Sequence, residues 1–145
     1  MEVEQAVRKR DLLEFQLMAQ ELQELRFSYD NFKKEAQKKE DEFAVFLLEV
    51  YNALGRASRT AGEDREGMLL LMNKIEDFLS KKGYLVFPKA GDSFDENTME
   101  AVTLRGTGRR VLEVVSYGLK RAGKVTERKG TTEILVLKQA RVVVG

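Results

Sequence analysis

Residues 15–54 read FQLMAQELQELRFSYDNFKKEAQKKEDEFAVFLLEVYNAL, and the spacing of their apolar side chains decides the fold. Phe15, Met18, Leu22, Leu25, Tyr29, Phe32, Ala36, Lys39, Phe43, Phe46, Val50 and Ala53 follow one another at alternating intervals of three and four. Eleven of these twelve positions are apolar and Lys39 is the exception, which is the heptad signature of a helix packed along a partner helix. No glycine or proline precedes Gly55, so nothing in the backbone interrupts the run. A helix of that length would reach about 80 Å at the usual rise per residue. One chain of 145 residues is too short to cover such a seam. A second copy, in a parallel dimeric helix pair, is the simplest way to bury it.

Charges beside the seam specify the pair weakly. In parallel register Glu21 faces Arg26 with opposite sign, whereas Glu35 faces Glu40 with like sign. With Lys39 in the seam, residues 35–42 read as the softest segment of the helix. The plainer alternative is a loosely packed helix with no tuning, since the seam uses Phe and Tyr where tight pairs use Leu, Ile and Val.

Near residue 46 the apolar stripe widens as Leu47, Leu48 and Leu54 join it, so the helix there needs more than one neighbour. Gly55 weakens the helix, and residues 59–65 read as a turn with Thr60 and Glu63 at capping-box spacing and Asp64 as a second N-cap candidate. A second helix is predicted from about Asp64 to Lys82, with apolar residues from Met68 to Leu79 on more than one face. Lys81, Lys82 and Gly83 form its stop signal. Two such hairpins, one per chain, would make a dimeric four-helix bundle. The dimerisation residues expected on the first helix are Leu22, Leu25, Tyr29, Phe32, Phe43, Phe46 and Val50, and on the second Leu71 and Ile75.

After Gly83 the period becomes strand-like. Tyr84–Phe87 runs up to the only proline, Pro88, and Val111–Tyr117, Ile134–Leu137 and Val142–Val144 are strands. Turns are expected at Gly91, Gly106 to Gly108, Gly118 to Gly123 and Gly130. The fold class is therefore α+β: a dimerisation helix over 1–46, a helical hairpin over 47–83, and a small, mostly antiparallel β domain over 84–145. A β domain that small is marginal alone and should lean on the bundle.

Composition excludes several function classes. The chain has no cysteine and no histidine, which removes disulfides, thiolate metal sites and the commonest general base. No metal and no cofactor is expected, and catalysis would have to rest on carboxylates and lysines. With 43% apolar and 34% charged residues, no membrane-spanning run and no secretory or transit pattern, the chain reads as cytoplasmic. Residues 1–82 carry 14 Lys/Arg against 17 Asp/Glu, and residues 83–145 carry 11 against 7, an asymmetry that again suggests two structural units.

Several ordered segments carry a resemblance to a known family. Phe27-Ser-Tyr-Asp-Asn-Phe-Lys-Lys34 lies in the long helix, and Leu47-Leu-Glu-Val-Tyr-Asn-Ala-Leu-Gly-Arg-Ala57 opens the hairpin. Glu66-Gly67 followed by Met-Leu-Leu-Leu closes at Lys-Lys-Gly83. Gly91-Asp-Ser-Phe-Asp-Glu-Asn97 precedes Met99-Glu-Ala-Val102, and Val111–Gly118 and Ala140–Val144 complete the series. In this order the segments resemble the GrpE nucleotide exchange factors of DnaK-type chaperones. The chain departs from the family at Glu49, Asn52, Gly55, Glu96 and Met99, is about a heptad shorter between Lys34 and Leu47, and carries extra residues between Lys120 and Glu133. The resemblance implies a homodimeric co-chaperone, not an enzyme, that binds the ATPase domain of a DnaK-type chaperone and promotes ADP release. It further implies chaperone contact by Lys33, Lys34, Arg56, Gly67 and Val144, with Phe94 and Met99 shaping the β-domain part of that binding surface. Which basic residue within 120–138 takes the family's arginine role stays open.

Two readings from other classes stand beside this one: a dimeric coiled-coil adaptor, and a basic β-domain module for nucleic acid. Thr107-Gly-Arg-Arg110 and Arg128-Lys-Gly-Thr131 resemble phosphate-binding turns, but the interleaved aromatics of a single-strand binder are missing, so solvated hairpin turns are the better reading. Gly91–Glu96 reads as a turn leading into a strand with Phe94 as its anchor, in preference to a carboxylate pair for catalysis. Gly67 is read either as a point of close helix packing or as part of the chaperone contact.

Overall fold

The computed structural model describes residues 2–126 and 131–145. Two helices come first, α1 at Glu2–Ser58 and α2 at Arg65–Lys81. Six strands follow: β1 at Tyr84–Phe87, β2 at Met99–Leu104, β3 at Val111–Ser116, β4 at Gly118–Thr126, β5 at Thr131–Lys138 and β6 at Ala140–Val144. The α+β class read from the sequence is the observed one. Two compact units divide the chain, Met1–Glu40 and Asp41–Gly145.

In the first unit the breaker-free run is helical throughout its described length. Its apolar residues stay in solvent: Leu22, Leu25, Tyr29 and Phe32 are all more than half exposed. Cooperative backbone hydrogen bonding makes such a helix, but packing of a face normally stabilises it in water.

The second unit contains the rest of α1. Gly55 remains helical, at a cost of about 1 kcal/mol relative to alanine, and a Cβ there would lie 3.4 Å from Met72 Cε across the hairpin. The helix ends at Ser58, whose hydroxyl donates to the Gly55 carbonyl at 2.8 Å. The expected capping box does not form. Thr60 belongs to the turn that closes α1, and its hydroxyl donates to the Ala57 carbonyl, while Asp64 takes the N-cap position of α2 without a side-chain cap bond. At the other end Gly83 adopts φ 88°, the left-handed conformation that ends a helix without a steric penalty.

The strands form two sheets. The first has the order β1-β4-β5, with both pairings antiparallel. The second has the order β2-β6-β3, in which β6 runs antiparallel to β3 and parallel to β2. Gly118 and Gly123 were expected in a turn, yet both lie within β4. Their job is close approach: a Cβ on Gly118 would stand 2.6 Å from the Lys138 carbonyl oxygen and 2.7 Å from the Phe87 ring. The turn expected at Gly130 lies outside the described residues.

Two cores hold this unit together. The first joins Ala44, Leu48 and Tyr51 of α1, Met72, Ile75 and Leu79 of α2, Tyr84 and Val86 of β1, and Leu119 of β4. The helical hairpin therefore serves as the missing wall of the first sheet, which is why a β region of this size can bury enough surface to be stable. The second core lies among Phe87, Met99, Val111, Val114, Ala140, Val142 and Val144. Tyr117 packs against both.

Candidate partner-binding site

Partner-binding residues expected from the sequence fall in both units. Lys33 and Lys34 lie on α1 in the first unit and are exposed, with Lys33 Nζ 4.7 Å from the centre of the Tyr29 ring one turn earlier. This cation–π contact steers the ammonium along the helix surface and leaves it hydrated.

The other candidates belong to the second unit. Arg56 sits in the last turn of α1, exposed, on the wall of a cavity between the hairpin and β3. Gly67 lies in the first turn of α2, also exposed, and a Cβ built on it meets nothing within 4 Å. Close packing within the chain is therefore not its role. Phe94 is half-buried against the second core and Met99 is buried in it. Val144 is 2% exposed on the central strand of the second sheet, so its side chain lies in the second core and not at the surface.

The loop carrying Phe94 folds on its own carboxylates. Asp92 accepts a hydrogen bond from the Lys89 N–H at 2.8 Å, and Asp95 accepts one from the Asn97 N–H at 3.0 Å. These local turns occupy the carboxylates and present Phe94 to the core.

Among the dimerisation residues expected in this unit, Phe43, Phe46 and Leu71 are exposed and Val50 is half-buried. Phe43 meets Phe78 of α2 edge-on, with ring centres 6.4 Å apart. Ile75 differs, since only 8% of it is exposed and it packs into the chain's own first core.

Two polar clamps hold the β region to α1, and neither was expected from the sequence. Asn52 is 7% exposed, and its side-chain amide pairs with the backbone of Tyr117 in both directions. Nδ2 donates to the carbonyl at 3.1 Å, and Oδ1 accepts from the N–H at 2.8 Å. Such a pair satisfies four polar groups that would otherwise be buried without partners. In the second clamp the Arg121 guanidinium donates twice to Asp41, at 2.8 and 3.0 Å, and the Tyr84 hydroxyl donates to the same carboxylate at 2.8 Å. Hydrogen bonding to Asp41 raises the Arg121 pKa further, so the guanidinium stays charged. Burial, then the nearby Glu76 carboxylate, likewise pushes the Tyr51 phenol up, and it remains a neutral donor to Glu76 at 3.2 Å. These partners are 65 and 80 residues apart in the chain, and no local pattern announces them.

The clamps bear on the basic residue left open between 120 and 138. Arg121 is held by Asp41, Lys120 lies over the Phe87 ring at 4.8 Å, and Lys138 reaches Glu49 at 4.0 Å. Arg128 and Lys129, and with them the Arg128-Lys-Gly turn, lie outside the described residues. Thr107–Arg110 is an exposed connection from β2 to β3.

Among the described residues no group of acidic side chains is arranged to hold a metal ion, and no helix is long and apolar enough to cross a membrane.

Comparison with known proteins gives a consistent picture. The sequence matches the GrpE family over residues 2–145. It is 33% identical over 89 residues to Protein GrpE of Methanothermobacter thermautotrophicus, covering 56% of this chain and 51% of that protein. It is 35% identical over 91 residues to Protein GrpE of Methanobrevibacter smithii, covering 55% of this chain and 49% of that protein. The chain thus spans about half the length of the curated relatives it matches.

Proposed function

The chain belongs to the GrpE family, and from that premise we propose that it is a co-chaperone that binds the ATPase domain of a DnaK-type chaperone and speeds release of ADP. The observation that carries the reading is the family match across residues 2–145. The absence of histidine and cysteine supports a role in binding over one in bond-making chemistry.

The mechanism is differential binding. A partner that prefers the open, nucleotide-poor cleft weakens ADP binding by the same factor by which ADP weakens the partner. That work needs a rigid wedge. The Asn52–Tyr117 and Asp41–Arg121 clamps support it by fixing the β region on α1. The exposed apolar residues Leu22, Leu25, Tyr29 and Phe32 of the first unit, and Phe43, Phe46 and Leu71 of the second, support a homodimer assembled through α1 and α2. In this arrangement residues 1–46 pair the two copies, residues 47–83 form the bundle, and residues 84–145 act as the lever. Lys33, Lys34, Arg56 and Gly67 meet the chaperone, while Phe94, Met99 and Val144 shape the contact from within.

The test is release of a fluorescent ADP from a cognate DnaK-type chaperone. Added protein should raise the release rate saturably, and excess ADP should weaken the complex. Gly67→Asp places a charge at an open, solvent-facing position, so it should reduce the acceleration while dimer mass and helicity stay unchanged. A release rate independent of added protein, with no complex detected, leaves the adaptor reading in its place.

A further inference from the structure

The end of α1, the start of α2 and strand β3 enclose a cavity of about 260 Å³. Its lining combines two chemistries. Leu69, Met72 and Val115 are apolar, and the arginines Arg56, Arg59 and Arg65 belong to the same wall. No lining residue is acidic. Arg59 is partly engaged, with one nitrogen 3.6 Å from a Glu113 carboxylate oxygen and another donating to the Val114 carbonyl at 3.4 Å. Arg56 and Arg65 have no ion pair or side-chain hydrogen bond among the described residues.

Of the three arginines only Arg59 has a carboxylate nearby, so a carboxylate supplied from outside finds two uncompensated positive charges, Arg56 and Arg65, on the wall of an apolar recess. Each guanidinium offers a planar fork of N–H donors that fits a carboxylate with two hydrogen bonds. The apolar lining selects a carboxylate attached to something hydrophobic. Size narrows the choice further, because cofactor and drug-sized sites run to about 300–1,000 Å³. A nucleotide is too large for this recess, whereas an acidic side chain with an apolar neighbour fits it.

We propose that this cavity docks an acidic residue flanked by an apolar one, presented by a segment of the chaperone ATPase domain. The inference rests on the exchange-factor reading for the owner of that segment, and it adds Arg59, Arg65, Leu69, Met72 and Val115 to the binding surface.

The first arm of the test uses the intact protein labelled at its methionine methyl groups, of which Met72 reports from inside the cavity. Acetyl-Leu-Glu-amide should shift the Met72 methyl resonance saturably, with an affinity about tenfold above that of the neutral acetyl-Leu-Gln-amide. The Arg56→Ala/Arg65→Ala double variant, which removes two exposed side chains without partners and so leaves folding intact, should erase that difference. Equal affinities for the two peptides, or a preference that survives in the double variant, overturns the site. The second arm measures the complex with the chaperone, which the double variant should weaken about tenfold or more. An unchanged affinity overturns the assignment of the segment to the chaperone. Failure of the exchange-factor reading is visible separately, in wild-type protein that neither binds the chaperone nor speeds ADP release. That result also overturns the chaperone as owner, while the peptide titration still decides the cavity.

Discussion

Within residues 2–40 every described side chain except half-buried Gln37 is exposed, whereas residues 41–145 hold two cores in which Leu48, Leu119, Ala140 and Val142 are fully buried. Both regions carry large apolar residues at regular spacing, and α1 crosses from one to the other. The difference lies in what the sequence supplies to cover them. Around Leu48 the chain provides α2 and the first sheet, and Leu48 is fully buried. Around Leu22 the side chain remains 51% exposed. Periodicity states that a face must be covered, and only a second element at the right place covers it. A helix with an uncovered seam gains its stability on association, so the two regions should respond differently to mutation.

The sharpest way to break this contrast is a pair of truncations. Leu48→Ala removes a fully buried side chain and should destabilise residues 41–145 by about 2–5 kcal/mol. Leu22→Ala should leave that transition unmoved and lower only a helical transition that depends on concentration, as association requires. Chemical denaturation followed by circular dichroism at two concentrations separates them. Sedimentation should give twice the 16.6 kDa chain mass for the wild type. A monomer helical over its full length would end the contrast, because residues 2–40 would then be stable uncovered.

A smaller effect sharpens the other side. Asn52→Ala leaves the Tyr117 N–H and carbonyl without their partners near the junction of the two cores, and should cost about 1–3 kcal/mol. Hydrogen exchange at the Tyr117 amide should accelerate more than exchange at Val142, which lies in the second core away from the clamp. Equal acceleration at both would mean that the clamp only adds to global stability. The smallest effect belongs to the first region. Lys39→Leu repairs the seam position that breaks the apolar pattern and should raise the concentration-dependent transition by on the order of 1 kcal/mol. No change there would place Lys39 outside the seam and shift the register.

Much of the fold was legible because it depends on local rules. The breaker-free heptad run, the Lys81-Lys82-Gly83 stop and the valine-rich runs at Val111 and Val142 each specify backbone geometry through near neighbours. The strand β4 was misread because Gly118 and Gly123 look like turn residues. Their real cause, the approach of Lys138, Phe87 and Glu133, exists only after the sheet has formed. The capping box at Thr60 failed for a related reason, since α1 continues past Gly55 and consumes that threonine in its own closing turn. At the candidate site, the sequence could name Arg56 and Gly67 but not their surroundings. The open space at Gly67, the cavity beside Arg56 and the commitment of Arg121 to Asp41 are products of packing.

By itself the sequence determined the two helices and the change to strands after them: a long helix with an apolar seam, a second helix ending at Gly83, and a β region free of histidine and cysteine. These follow from side-chain periodicity and backbone preference, which act over a few residues. Tertiary structure alone decided that Asn52 reads the backbone of Tyr117, that Asp41 gathers Arg121 and Tyr84, that Ile75 belongs to the chain's own core, and that three arginines share the wall of one recess. Each of these depends on groups far apart in the chain, and their energies arise from desolvation and charge, which have no value until folding brings the partners within a few ångströms.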